Sequence, residues 1–262
     1  MKLAITGKGG VGKTTLTSLL AYYYAGQGQT VMAIDADPSP CLGAAMGFPR
    51  EALAGLKPIS EMEDLIYERT GAQPGTTGGY FKINPRVDDI PDRFAVTYRG
   101  IKLLELGAVE TGGSGCICPE SVLLKQLISH ILLRRGEWVL LDMYAGVEHL
   151  GRATSAAVDA MIAVVEPTRR SLGTAGQIKS LAADIGVKRI YLVGNKVQSD
   201  DDRRFLEENT PGLPVVGFMP YTAHAQEADR RGVPISDVSP EMALAAQSIV
   251  AALDKQLQPV AA

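Results

Sequence analysis

Seven short runs of apolar, largely β-branched residues recur along the chain, at 2–6, 30–35, 101–106, 138–142, 160–166, 189–194 and 215–219. Several lack polar alternation, "KLAIT" and "WVLLD" among them, which is the pattern of strands buried on both faces. Between most of them lie helix-length stretches with apolar positions at the 3.6-residue period: 14–27, 120–135, 171–185 and 223–231. Strand, helix, strand repetition predicts an α/β fold, a mostly parallel, doubly wound sheet of about seven to eight strands flanked by helices. The rhythm breaks at about residues 70–99, in "GAQPGTTGGYFKINPRVDDIPDRF". Its Gly, Pro and Asp content reads as an insertion loop within a single domain spanning 1–262, not as a second domain.

Composition adds constraints. A chain of 262 residues with 46% hydrophobic content can bury a substantial core. Its 26 basic and 29 acidic residues leave a net charge of -3, and no basic run offers a nucleic-acid arm. The N-terminal "MKLAITGKGG" leads straight into a motif with no secretory signal, and no stretch reaches the roughly 18–20 apolar residues of a membrane span. Residues 240–258 are Ala-rich with one lysine, a poor match to a basic amphipathic anchor. The expectation is a cytoplasmic protein that binds neither membrane nor nucleic acid. In a reducing compartment its three cysteines are not a disulfide framework.

The first strand runs into "GKGGVGKTT", which satisfies G-x-x-x-x-G-K-[ST] with Gly7, Gly12, Lys13 and Thr14 in a strand–loop–helix context. Glycines let the backbone N–H groups of Gly9, Gly10, Val11 and Gly12 converge on phosphate oxygens, and the helix start through Thr15 adds its positive dipole end. Lys13 suits the β- and γ-phosphates of ATP or ADP, and Thr14 suits Mg²⁺. The second strand ends "AIDADPSP", which places Asp35 and Asp37 at the carboxyl edge of the sheet, facing the phosphate loop. Asp35 can assist the Mg²⁺ shell and Asp37 can orient the attacking water. A further strand ends "VLLD", making Asp142 the carboxylate for Mg²⁺ through water.

Lys8, inside the loop, is not demanded by an ordinary phosphate loop. "KGGVGKTT" resembles the deviant phosphate loop of the MinD/ParA-type ATPases. That resemblance implies that Lys8 reaches across an ATP-dependent homodimer to the partner's phosphates, and that Asp37 activates water. It further implies that Asn195 and Lys196 of "VGNKV" recognise the base, with Pro220 of "MPY" beside it. Ala145 and Gly146, after Asp142, stand where a switch loop would sense the γ-phosphate.

Cys116 and Cys118 in "CICPE" are separated by one residue, so in an extended segment they point apart and one chain cannot easily close a four-sulfur site with them. On the residues alone they are packing groups, a redox pair or half of a metal site. Two copies brought together about a two-fold axis would offer four thiolates to Ni²⁺ or Zn²⁺. Together "YFKINPRVDDIPDRF", "GGSGCICPE", "AGVEHLGRAT", "VVEPTRRS", "VGNKV" and "GFMPY" resemble the CooC-type ATPases, MinD-like accessory proteins that mature nickel-containing carbon monoxide dehydrogenases. The resemblance implies a slow ATPase that binds nickel at Cys116 and Cys118 across the homodimer, in the ATP- or metal-bound state, and delivers it to the dehydrogenase as client. Tyr144 departs from it, standing where the family usually has an acidic residue. A positioning or partition ATPase and an iron–sulfur scaffold or reductase resembling the nitrogenase iron protein are the competing classes. Cys41, with no thiol or histidine near it in sequence, reads as a small apolar residue in a buried turn, and His149 as structural.

Overall fold

The structure is a computed structural model that describes residues 1–75, 80–107, 118–144 and 157–257. Its centre is an eight-stranded sheet. In chain order the strands are β1 (Lys2–Thr6), β2 (Val31–Ala36), β3 (Val96–Tyr98), β4 (Ile101–Glu105), β5 (Trp138–Met143), β6 (Ala160–Val165), β7 (Ile190–Val197) and β8 (Val215–Pro220). They lie in the order β3-β4-β2-β5-β1-β6-β7-β8, all parallel except the β3–β4 pair. The expected parallel, doubly wound sheet is therefore present, with β3 as an added antiparallel edge.

The unalternating strand pattern has its expected cause. In β2, Val31 and Ala33 belong to one apolar layer while Met32, Ile34 and Ala36 belong to the other. In β6, Ile162 and Val164 face the first layer and Met161, Ala163 and Val165 the second. Helices α1 (Lys13–Gly26) and α10 (Pro240–Leu257) fill the first layer; α6 (Pro119–Arg134) and α7 (Arg169–Ile185) fill the second. Each fully buried Leu, Ile or Met contributes on the order of 1.5–3 kcal/mol, so the two layers together hold the sheet rigid beneath the loops at its carboxyl edge. Among the described residues no helix is long and apolar enough to cross a membrane.

The remaining helices are short: α2 (Leu42–Ala45), α3 (Arg50–Ala54), α4 (Glu63–Thr70), α5 (Ile90–Phe94), α8 (Asp200–Glu208) and α9 (His224–Arg231). The segment expected as a loop at about 70–99 holds α5 and β3, so it is structured over its second half. Ile90 is fully buried in the second layer, and Arg69 donates to Asp89 Oδ2 at 2.7 Å, tying the segment down.

Candidate functional site

The sheet order reverses direction around β1, and the carboxyl ends of β2, β5 and β1 lie side by side there, the usual place for a ligand of an open α/β sheet. Register aligns the strand ends: Asp35 of β2 lies opposite both Asp142 of β5 and Glu105 of β4. The loop after β1 begins at Gly7, where a Cβ would meet Val164 O at 2.5 Å, and closes at Gly12. Gly12 has φ +97, and a Cβ there would meet Asn195 Nδ2 at 2.0 Å, so only glycine fits. Lys8, Gly9 and Gly10 are exposed, whereas Val11 and Lys13 are buried and Gly12, Thr14 and Thr15 half-buried. Lys13 opens α1 and turns its Nζ back to the carbonyl of Lys8 at 3.4 Å.

Thr14 Oγ1 donates to Asp142 Oδ2 at 2.7 Å. The other oxygen of that carboxylate, Oδ1, is buried with no hydrogen-bond partner among the described residues, and Asp142 as a whole is 1% exposed. Burial pushes the Asp142 carboxyl up to about 7; the Thr14 hydrogen bond opposes this and Asp35 adds to it. A lone buried carboxylate oxygen beside a threonine hydroxyl is a donor set suited to a hard divalent cation. Thr14 and Asp142 thus fit the expected Mg²⁺.

Asp35, fully buried, is placed differently from a direct ligand. Its Oδ1 accepts from Asp37 N at 3.1 Å, and its Oδ2 accepts from Cys41 N and Leu42 N, each at 2.8 Å. Burial raises its carboxyl and these three N–H groups oppose the rise, so Asp35 shapes the turn after β2. Asp37 is half-buried and caps that turn by accepting from Ser39 N at 3.0 Å. Cys41 corrects the expectation of a buried apolar residue: it is exposed, with Sγ 3.6 Å from Thr14 Oγ1. The turn is tight because Asp35 gathers its N–H groups, and this carries residue 41 outward to the phosphate loop. Partial desolvation against the loop, opposed by the Thr14 hydrogen bond and aided by Asp35, Asp142 and Asp37, pushes the Cys41 thiol up.

Asn195 and Lys196 lie in β7 where its pairing with β8 is irregular, and Lys196 has φ +57. Asn195 Nδ2 donates to Val11 O at 2.7 Å and its Oδ1 accepts from Lys196 N at 2.8 Å. Lys196 Nζ donates to Gly10 O at 2.8 Å and pairs with Glu166. Both residues therefore brace the phosphate loop. Pro220 ends β8 opposite Val197, beside them. Glu166 went unread in the sequence, although it directly follows β6 as Asp142 stands near the end of β5, and the same strand-end signal marks it.

Cys118 is buried at the start of α6, where Ser121 Oγ donates to its carbonyl at 3.0 Å. It lies on the connection leaving the carboxyl end of β4, the edge that carries the phosphate loop. Cys116, Ala145, Gly146 and His149 lie outside the described residues. Tyr144, at the margin, is exposed, and its carbonyl accepts from Thr6 Oγ1 at 3.0 Å. Among the described residues no three His, Cys, Asp or Glu side chains form a metal-holding group.

Residues 2–235 match the model of the CobQ/CobB/MinD/ParA nucleotide binding domain. The chain is 48% identical over 259 residues to the carbon monoxide dehydrogenase accessory protein CooC of Rhodospirillum rubrum, covering 99% of this chain and 98% of that one. It is 46% identical to an ATP-binding protein of Methanocaldococcus jannaschii, covering 90% of this chain and 91% of the relative. The MinC:MinD cell division complex of Aquifex aeolicus superposes with a TM-score of 0.69 at 18% identity, over 100% of this chain and 99% of that chain. MinD of Pyrococcus horikoshii complexed with Mg-ADP superposes with a TM-score of 0.65 at 17% identity, over 97% and 96%. With the phosphate loop, its strand-end carboxylates and these likenesses in agreement, the chain belongs to the CobQ/CobB/MinD/ParA nucleotide-binding family, among its CooC-type members.

Proposed function

We propose that the protein is a cytoplasmic, ATP-hydrolysing metallochaperone, folded as one domain, that carries Ni²⁺ to a nickel-dependent carbon monoxide dehydrogenase. The observation that carries the nucleotide half is the Thr14–Asp142 hydrogen bond, with a buried Oδ1 next to the phosphate loop that has no partner among the described residues. Thr14 and Asp142 would hold Mg²⁺, and bound there the cation neutralises charge on the transferred phosphoryl group. The loop N–H groups and Lys13 bind the phosphates. Asp37, half-buried at the rim, orients and accepts a proton from the attacking water. Lys8, exposed on the loop, reaches a second copy's phosphates, and Asn195 and Lys196 hold the loop while the spare Asn195 N–H meets the base. Little covalent chemistry is asked of the protein, which accords with a slow ATPase.

The carrier half rests on Cys116 and Cys118 and on the likeness to CooC. ATP draws two copies together, their four thiolates hold one Ni²⁺ or Zn²⁺ ion, and hydrolysis reopens the site against the client. Metal titration with and without ATP tests this. The expected result is one ion per two chains in the unaltered protein, loss of binding in Cys116→Ser/Cys118→Ser, and weakened binding in Lys8→Ala with ATP although no ligand is removed. Stoichiometric binding that survives loss of both thiols would overturn it.

A further inference from the structure

Cys41 stands where the proposed magnesium ligands meet. Its Sγ is 3.6 Å from Thr14 Oγ1, and that hydroxyl donates to Asp142 Oδ2 at 2.7 Å. The second oxygen of Asp142 is buried and has no partner among the described residues. Sulfur, hydroxyl and carboxylate therefore form one contiguous donor set. Nor is the sulfur on a loose segment: the Cys41 backbone N–H is fixed by the buried Asp35 at 2.8 Å, and Ala45 N donates back to Cys41 O at 3.0 Å as α2 begins.

The spacing has chemical meaning. A tetrahedral ion with metal–sulfur and metal–oxygen bonds of about 2.3 and 2.1 Å spans about 3.6 Å between those ligands. The Cys41–Thr14 separation, spanned by a thiol–hydroxyl hydrogen bond, already has that value, so an ion can take the place of the shared proton without moving sulfur and oxygen apart, whereas Mg²⁺ takes oxygen ligands at about 2.0–2.1 Å and gains nothing from a thiol. A soft or borderline ion prefers a site that offers sulfur. Packing gives no alternative account of the residue, since it is exposed instead of filling a layer of the core.

We propose that Cys41 is a sulfur ligand at the cation position of the nucleotide site, acting with Thr14 and Asp142, so that this position accepts a thiophilic divalent cation in place of magnesium. The inference deepens the nucleotide-site reading and rests on it. It gives each chain a thiol-bearing metal position that is independent of Cys116 and Cys118 and does not need a second copy.

The test uses the full chain carrying Cys116→Ser/Cys118→Ser, with ADP and Cd²⁺ as the probe. Thiolate-to-cadmium charge-transfer absorption is expected at one thiolate per chain. Adding Cys41→Ser removes the band and lowers Cd²⁺ affinity relative to Mn²⁺ affinity at least tenfold; Cys41→Ala does the same, and Thr14→Val weakens Cd²⁺ binding with the thiol still present. Mg²⁺-dependent ADP binding is measured on the same samples. A band unchanged by loss of Cys41, or no band while ADP still binds with Mg²⁺, overturns the assignment of Cys41 alone. Absence of ADP binding with Mg²⁺ in the unaltered chain overturns the nucleotide-site reading and this proposal with it.

Discussion

Glu105 ends β4 opposite Asp35, half-buried, and burial aided by Asp35 and Glu61 pushes its carboxyl from an ordinary 4.5 up to about 7. The folded state thus holds this proton longer than the unfolded state. Between those two values the folded chain binds more protons, so stability falls as pH rises through the window and the loss is complete above about 7. Linkage alone gives ~3 kcal/mol for such a displacement, and water contact at a half-exposed carboxyl reduces it to about 1–2 kcal/mol. Glu105→Gln is expected to match the unaltered protein near pH 4.5 and to exceed it by that amount at pH 8, read from urea midpoints without nucleotide or Mg²⁺. Equal midpoints at pH 8 would show that the neighbouring acids do not destabilise the ionised form. At this scale the sequence exposed the strand-end acids, because a phosphate loop makes every carboxylate at that edge meaningful. It did not expose what each contacts. Asp35 and Asp142 read alike in sequence, yet the first is taken up by three backbone N–H groups and the second keeps an oxygen without a partner among the described residues. Cys41 was misread because its position depends on the turn that Asp35 folds, which no local spacing encodes.

Helix α6 links the two ends of the molecule. Its start carries Cys118, and its last turn is held by Lys2, whose Nζ donates to Arg135 O at 2.7 Å and Glu137 O at 2.8 Å and reaches Ile131 O at 3.5 Å. A cation at a helix C-terminus both satisfies orphan carbonyls and complements the dipole. Lys2→Met keeps the apolar stem and removes these bonds, so a loss of about 1–3 kcal/mol is expected, checked by thermal and urea unfolding; a loss below 0.5 kcal/mol, the ordinary range of a surface change, would show that water replaces the ammonium. Long, periodic elements such as α6 and α7 were legible within a residue or two. Hairpin β3–β4 was not, for a physical reason. Arg99 and Gly100 turn it with φ +46 and +80, a geometry that asparagine or aspartate before glycine usually signals. Arg99 tolerates it because its guanidinium donates to Asp237 at 2.8 Å and lies over the Tyr22 and Tyr98 rings. Helix α8 escaped notice because it buries only Leu206; its start is made by the Ser199 cap, which accepts from Asp202 N, and by three aspartates in the first turn.

At the scale of the molecule, one edge of the sheet gathers the exposed Lys8, the half-buried Asp37, the Thr14–Asp142 pair and the connection bearing Cys118, while the opposite edge carries the Lys2 and Arg135 contacts that close α6. Lys8 is the informative member. Among the described residues its ammonium has no hydrogen bond or ion pair, whereas Lys13, five residues on, is buried beside the loop it serves. A lysine inside a phosphate loop whose ammonium is exposed, while its carbonyl is held by Lys13, is placed to meet phosphate carried by another chain. If a second copy docks on this edge with ATP between the two, the charge on each triphosphate is shared by Lys13 of its own chain and Lys8 of the other. The attraction then depends on the γ-phosphate and is lost on hydrolysis. Light scattering on Asp37→Ala, which should retain ATP by slowing attack of water, is expected to rise from the 27.8 kDa of one chain to twice that mass with ATP and Mg²⁺ and to remain at one chain with ADP. Adding Lys8→Ala to that variant is expected to abolish the rise while lowering the affinity of a single chain for ADP by less than about threefold, because the lysine contacts none of its own phosphates; on the energy scale that is under ~0.7 kcal/mol. A Lys8→Ala chain that still doubles its mass with ATP would remove the trans role of Lys8 and, with it, the reason to expect four thiolates at one interface.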